Sequence, residues 1–178
     1  MISRRIFLQG AVAATVAVAT PGLHAAVASA DAERRLNFYN LHTGERLSAT
    51  FWADGHYVAE ELAAIDHLLR DHRRNEVEAI DTRLLEQLHT LQRHFGKHDT
   101  FHVISGYRSP QTNAALNSRS SGVAKRSLHM QGRAIDIRLP GVELKSLRQA
   151  ALAQKAGGVG YYPKSDFIHL DTGRPRFW

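Results

Sequence analysis

The 178-residue chain contains no cysteine. That removes a thiol nucleophile, a cysteine-ligated zinc site and every disulfide, so cohesion must come from packing or from a metal held by nitrogen and oxygen. The chain also lacks an apolar run long enough to span a bilayer. Ala11 to Ala19 is uncharged, but Gln9, Gly10, Pro21 and His24 interrupt the surrounding stretch, short of the ~20 residues that a spanning helix needs. No arginine-rich run argues for nucleic acid, and there is no internal repeat or low-complexity tract. The formal charge of +6 is a mild basic balance of the kind that suits an anionic polymer such as a bacterial wall.

What is present begins with an export signal. Ser3-Arg4-Arg5-Ile6-Phe7-Leu8 is similar to the twin-arginine motif, the apolar stretch follows it, and Ala28-Ser29-Ala30 supplies a small-x-small cleavage pattern, with Ala26-Val27-Ala28 as a second one. Residues 1–30 read as a signal peptide and 31–178 as a single mature domain, with a periplasmic destination and no stable membrane insertion after cleavage. About 150 residues is the usual size for one domain around one core.

Along the mature chain, Leu36–Leu41 and Leu47–Trp52 read as a hairpin. Val58, Leu62, Ile65 and Leu69 mark one amphipathic helix. Leu84, Leu85, Leu88, Leu91 and Phe95 mark a second, capped by Asp81 and ended by Gly96. Thr100–Ser105 is strand-like and turns through Gly106–Pro110 into a helix capped by Ser109; Asn117–Arg126 is a basic loop. Two strand candidates lie around Ser127–Leu139, then a helix over Val142–Ala156 stopped by Gly157-Gly158, then a strand at Phe167–Asp171. The pattern predicts an α+β fold: a small antiparallel sheet with packed helices.

Period-two alternation sends Ile135, Ile137 and Leu139 to one face and Asp136 to the other, and it groups Phe167, His169 and Asp171 opposite Ile168 and Leu170. A hairpin-like turn at Met130–Arg133 brings His129 back towards Asp136, and a neighbouring strand adds His169. Three nitrogen and oxygen ligands suit Zn²⁺ with a fourth position kept for water, and Mn²⁺ or Fe²⁺ also fit such a set.

Ser105-Gly106-Tyr107-Arg108-Ser109, Ser127-x-His129-x-x-Gly132-x-Ala134-x-Asp136, Gly158-Val159-Gly160-Tyr161-Tyr162 and Phe167-Ile168-His169-x-Asp171 together resemble the D-alanyl-D-alanine metallopeptidase family (LAS-type zinc peptidases). That family includes VanX-type dipeptidases and is related to hedgehog domains; the YcbK-like branch matches best. The resemblance spans Leu36 to Trp178. It implies an LAS/hedgehog-like zinc peptidase core holding one Zn²⁺ on His129, Asp136 and His169, and a murein endopeptidase acting on peptidoglycan peptides, with bridges between two diaminopimelate residues as the substrate. By the same resemblance Asp166, three residues before His169, matches the catalytic base, and Arg108 meets the oxyanion or a substrate carboxylate; Asp171 is the reserve base because it shares a strand face with His169. The alternatives are a D-alanyl-D-alanine carboxypeptidase or dipeptidase, and a metal-holding wall-binding module without hydrolysis.

Overall fold

Alternating apolar residues in the first strands set the layering. In Glu33–Asn40 (β1), Leu36 and Phe38 are fully buried, and in Arg46–Ala53 (β2) so are Ala49 and Phe51, while their neighbours face the other way. The two strands form the expected antiparallel hairpin. The computed structural model describes residues 33–96, 100–119 and 122–178; the twin-arginine segment and its cleavage sites lie outside them.

The order continues with His56–Tyr57 (β3), Ala59–Leu68 (α1), Thr82–His94 (α2), Phe101–Ser105 (β4), Pro110–Arg119 (α3), Ala134–Arg138 (β5), Leu144–Gln154 (α4), Gly158–Tyr162 (β6), Phe167–Asp171 (β7) and Arg176–Phe177 (β8). Asp81 caps α2 as expected, its side chain accepting from Arg83 N. Ser109 Oγ accepts from Thr112 N at 3.2 Å at the start of α3. The carboxylate of buried Asp71 in turn accepts from Ser109 N (2.9 Å) and Oγ (2.6 Å) and so fixes the turn that carries Arg108.

All strands join one eight-stranded sheet in the order β3-β2-β1-β4-β5-β7-β6-β8. It is larger than the small antiparallel sheet predicted, and it is mixed, because β1 pairs with β4 and β6 with β8 in parallel. The undercount has physical causes: β3 and β8 are two residues each, and the GVGYY of β6 has too little side-chain bulk to show a hydrophobic period. The apolar stripes of the helices meet the sheet from one side. Ile65 and Leu68 of α1, Leu84, Leu88 and Leu91 of α2 and Leu147 of α4 pack with Phe38, Phe101, Ile135, Ile137, Ile168 and Leu170, each large side chain contributing roughly 1.5–3 kcal/mol by leaving water. The opposite sheet face carries the polar side chains. Among the described residues no helix is long and apolar enough to cross a membrane.

Candidate metal centre and its cleft

β5 and β7 run antiparallel with Asp136 directly opposite His169, and the pleat turns both side chains to the face away from the core. His129 comes from a different kind of element than predicted. Residues 128–131 form a 3-10 turn, not a strand, and the hairpin at 130–133 is absent. Ser127 caps that turn, accepting from His129 N at 3.4 Å, and Gly132 closes it in the left-handed region at φ 62°. A Cβ at Gly132 would overlap the Ala79 carbonyl oxygen, so the position requires glycine for space as well as for conformation.

The turn delivers His129 to the other two residues. Asp136 Oδ1 lies 2.8 Å from His169 Nδ1 and 3.3 Å from His129 Nε2, and the two ring nitrogens are 3.2 Å apart. All three residues are buried, and their ligand atoms lie within 4.8 Å of one another. The far nitrogen of each ring is occupied. His129 Nδ1 donates to Gly106 O at 2.7 Å and His169 Nε2 donates to Asp171 Oδ2 at 3.1 Å. Both partners only accept, so each ring presents an unprotonated nitrogen towards Asp136 when neutral. Two oriented imidazoles and a carboxylate, each steadied from behind, make a donor set that fits a divalent metal such as zinc.

Electrostatics within the cluster are strong. Burial alone would raise the Asp136 carboxyl, but the charge on His129 and hydrogen bonds from His129 and His169 outweigh it and hold the group well below the usual carboxylate range. Burial alone would lower His169, yet its bonds to Asp136 and Asp171 raise it to about 9. Asp171 is fully buried and receives Gly158 N (3.0 Å), Gly173 N (2.8 Å) and both terminal nitrogens of Arg176 (3.0 and 2.7 Å) in addition to His169. It is held below its ordinary range despite burial.

Arg108 sits in the turn between β4 and α3, with Nη2 3.8 Å from Asp136 Oδ2. Its other contacts are long, 3.3 Å to Ser105 Oγ and 3.4 Å to Asn113 Oδ1, and its buried Nε has no hydrogen-bond partner among the described residues. Asp166 is not brought into this group. It ends the 3-10 turn Pro163–Ser165 at φ 52°, its side chain is 62% exposed, and its carboxylate is turned to Arg138 Nη1 at 2.9 Å.

The cluster forms the floor of a cleft of about 320 Å³ whose walls include Arg108, Arg126, Tyr162, Phe167 and Trp178. Trp178 and Arg176 escaped sequence reading. Their only signal is the paired glycines of β6, which leave space that the chain's own residues fill, since a Cβ at Gly160 would lie 2.8 Å from the Trp178 indole. That indole lies 5.3 Å from the His169 ring and donates from Nε1 to Tyr162 Oη at 2.8 Å.

A family model described as peptidoglycan L,D-endopeptidase MepK matches residues 28–178. The chain belongs to this family. Peptidoglycan L,D-endopeptidase MepK of Escherichia coli strain K12 is 45% identical over 176 residues, covering 98% of this chain and 96% of the relative. The protein of that name from Shigella flexneri matches equally. A probable peptidoglycan L,D-endopeptidase MepK of Haemophilus influenzae is 43% identical over 154 residues, covering 86% of this chain and 83% of its own length. The family is one of metallopeptidases, and the buried His129, Asp136 and His169 group lies within the matched region.

Proposed function

We propose that the protein is an exported zinc endopeptidase that hydrolyses peptide cross-links of peptidoglycan, the bond between two diaminopimelate residues being its target. The observation that carries this reading is the convergence of His129 Nε2, Asp136 Oδ1 and His169 Nδ1, with each imidazole secured from behind. Bound there, zinc would polarise the scissile carbonyl and make the attacking water acidic enough to ionise near neutral pH. Arg108, with donors left unsaturated 3.8 Å from Asp136, stabilises the negative charge that develops on the carbonyl oxygen. Tyr162, Phe167 and Trp178 shield one side of the cleft from water and seat the peptide.

A base must accept the proton of the attacking water. Asp171 is committed to Arg176, His169 and two backbone amides, so the role falls to Asp166, which has to leave Arg138. That contact is solvent-exposed, 36% and 62% for the two side chains, and exposed pairs are worth only ~0–1 kcal/mol. The same placement of Asp166 is the one observation favouring a second reading, a metal-holding wall-binding module without hydrolysis. The leader Ser3-Arg4-Arg5-Ile6-Phe7-Leu8 supports periplasmic delivery by the twin-arginine route.

Incubating the purified mature chain with cross-linked muropeptide dimers of defined linkage, with zinc and then with chelator, and reading products by mass spectrometry tests the proposal. Loss of diaminopimelate-linked dimer only in the presence of metal is expected. Intact dimers under both conditions, or cleavage that persists in His129→Ala, would refute it.

A further inference from the structure

Asp136 and His169 share one pleat row on the sheet face opposite the core, and a second row runs beside it. Tyr39 of β1 is paired with Arg46 of β2 and with His102 of β4, and His102 is paired with Arg138 of β5. The β5–β7 ladder continues this row to Phe167, which is paired with Tyr162 of β6. Directly paired residues point to the same face, so these six side chains cross the sheet in a line. Arg138 lies two residues from Asp136 and Phe167 two from His169, which puts the line about 7 Å from the metal row.

Side chains at both ends of the row touch one another. The Arg46 guanidinium lies 4.0 Å over the Tyr39 ring, Tyr39 meets His102 edge-on at 5.2 Å, and Tyr162 stacks on Phe167 at 4.5 Å. The core lies on the opposite face with α1, α2 and α4. Arg46 is exposed and Tyr39, His102 and Arg138 are half-buried. Glu45 is turned to Arg70 at 2.8 Å and leaves Arg46 to the row, while Arg138 is paired with Asp166 at 2.9 Å through a solvent-exposed contact that a second carboxylate can displace. Five strand spacings of ~4.8 Å give a track of roughly 24 Å, the reach of about seven extended residues, far beyond a terminal dipeptide.

Resting on the peptidoglycan reading above, we propose that this row is the binding track for a carboxylate-bearing extended peptide that continues past the scissile bond. Arg138 and Arg46 receive its carboxylates, and Tyr39 and Phe167 pack against its aliphatic stems. The charge complementarity and the continuity with the metal cleft both select an anionic stem peptide over a neutral glycan. A carboxylate held by Arg138 also takes the place of Asp166, which frees Asp166 towards the cleft only when substrate is seated.

Calorimetric titration of the chelated full mature chain with a cross-linked muropeptide dimer tests the track without cleavage. Arg46→Gln and Arg138→Gln should each weaken binding roughly fivefold, and the double variant more, at about 1 kcal/mol per charged contact. Amidating the ligand's carboxylates should weaken wild-type binding and abolish the difference between wild type and variants. No binding by wild type, unchanged affinity in the variants, equal losses on the amidated dimer, or equal affinity for the peptide-free disaccharide would each overturn the proposal. Because Arg46 is exposed, its variant keeps the fold. Wild type that binds through the track yet cleaves no dimer would sink the endopeptidase reading and leave the track standing; the reverse result would do the opposite.

Discussion

Replacing Asp171 by asparagine changes no volume but reverses the logic of His169. The carboxylate accepts from His169 Nε2 at 3.1 Å and from Arg176 Nη2 at 2.7 Å through Oδ2, while Oδ1 serves Gly158 N, Gly173 N and Arg176 Nη1. An asparagine whose oxygen keeps the two backbone amides must turn its NH₂ towards His169 and Arg176. Nε2 then becomes the acceptor, the ring proton moves to Nδ1, and the nitrogen facing Asp136 is no longer a free ligand. Losing the partner behind a metal-ligating histidine typically costs 10–100-fold in affinity, or roughly 1.4–2.7 kcal/mol. Two charge-assisted bonds are lost as well, at ~1.5–3 kcal/mol each. Because the Arg176 side chain is 35% exposed, solvent screens its share and the sum falls to about 2–4 kcal/mol of stability. The checks are zinc affinity by competition with a chromophoric chelator and unfolding in urea with chelator present. Zinc affinity within twofold of wild type, alongside reduced stability, would refute the assignment of Asp171 as the residue that sets the His169 tautomer.

Other perturbations probe separate links. In the metal-free chain His169 is raised from 6.5 to about 9, so it is an imidazolium at pH 7. Its contribution to stability is full below pH 6.5 and lost as pH rises through about 9, and an entering ion must displace its proton. Calorimetry in buffers of different ionisation enthalpy should show about one proton released per ion at pH 7, with affinity climbing up to tenfold per pH unit towards 9; pH-independent affinity would contradict this. Gly132→Ala forces a Cβ into the Ala79 carbonyl oxygen at a positive φ of 62°, and a loss of at least ~1–3 kcal/mol is expected in thermal or urea unfolding. Asp71 is held below its ordinary 3.8 because hydrogen bonds from Ser109, Thr112 and backbone amides outweigh the effect of burial. Its contribution is therefore present above about pH 3.8 and lost as pH falls below it, and Asp71→Ala should cost ~2–4 kcal/mol at pH 7, lower activity through the Arg108 turn, and flatten the acid limb of stability against pH.

The hairpin, Asp81-capped α2, Ser109-started α3 and the faces of β5 and β7 were legible because each rests on local rules: a turn, a cap, a period of two or 3.6. The same period separated Asp136 and His169 from Ile135 and Ile168, and the structure places them directly opposite each other. His129 was legible as a partner but not as a conformation. Ser127 and Gly132 make a capped 3-10 turn, and that choice is enforced by the Ala79 backbone, some fifty positions away in sequence. Asp166 is offered as the base by the family resemblance alone, whereas its side chain follows Arg138, a partner 28 positions away in the chain. The shared edge of β6 and β8 was illegible for a further reason: two-residue strands and parallel pairings carry no periodic signal.

That edge explains the glycines of β6. β6 and β8 run parallel with Gly158 beside Arg176 and Val159 beside Phe177, which sets Gly160 beside Trp178. A Cβ on Gly158 would meet both Arg176 Nη1 and Asp171 Oδ2 at 2.5 Å, and one on Gly160 would meet the indole at 2.8 Å. Each glycine is thus the space into which its neighbour's side chain folds. Arg176 uses that space to neutralise Asp171, and Trp178 uses it to lie against His169 at 5.3 Å. The G-x-G of one strand and the R-x-W of the other are a single device read across a ladder. One half secures the charge behind His169, and the other walls the cleft in front of it.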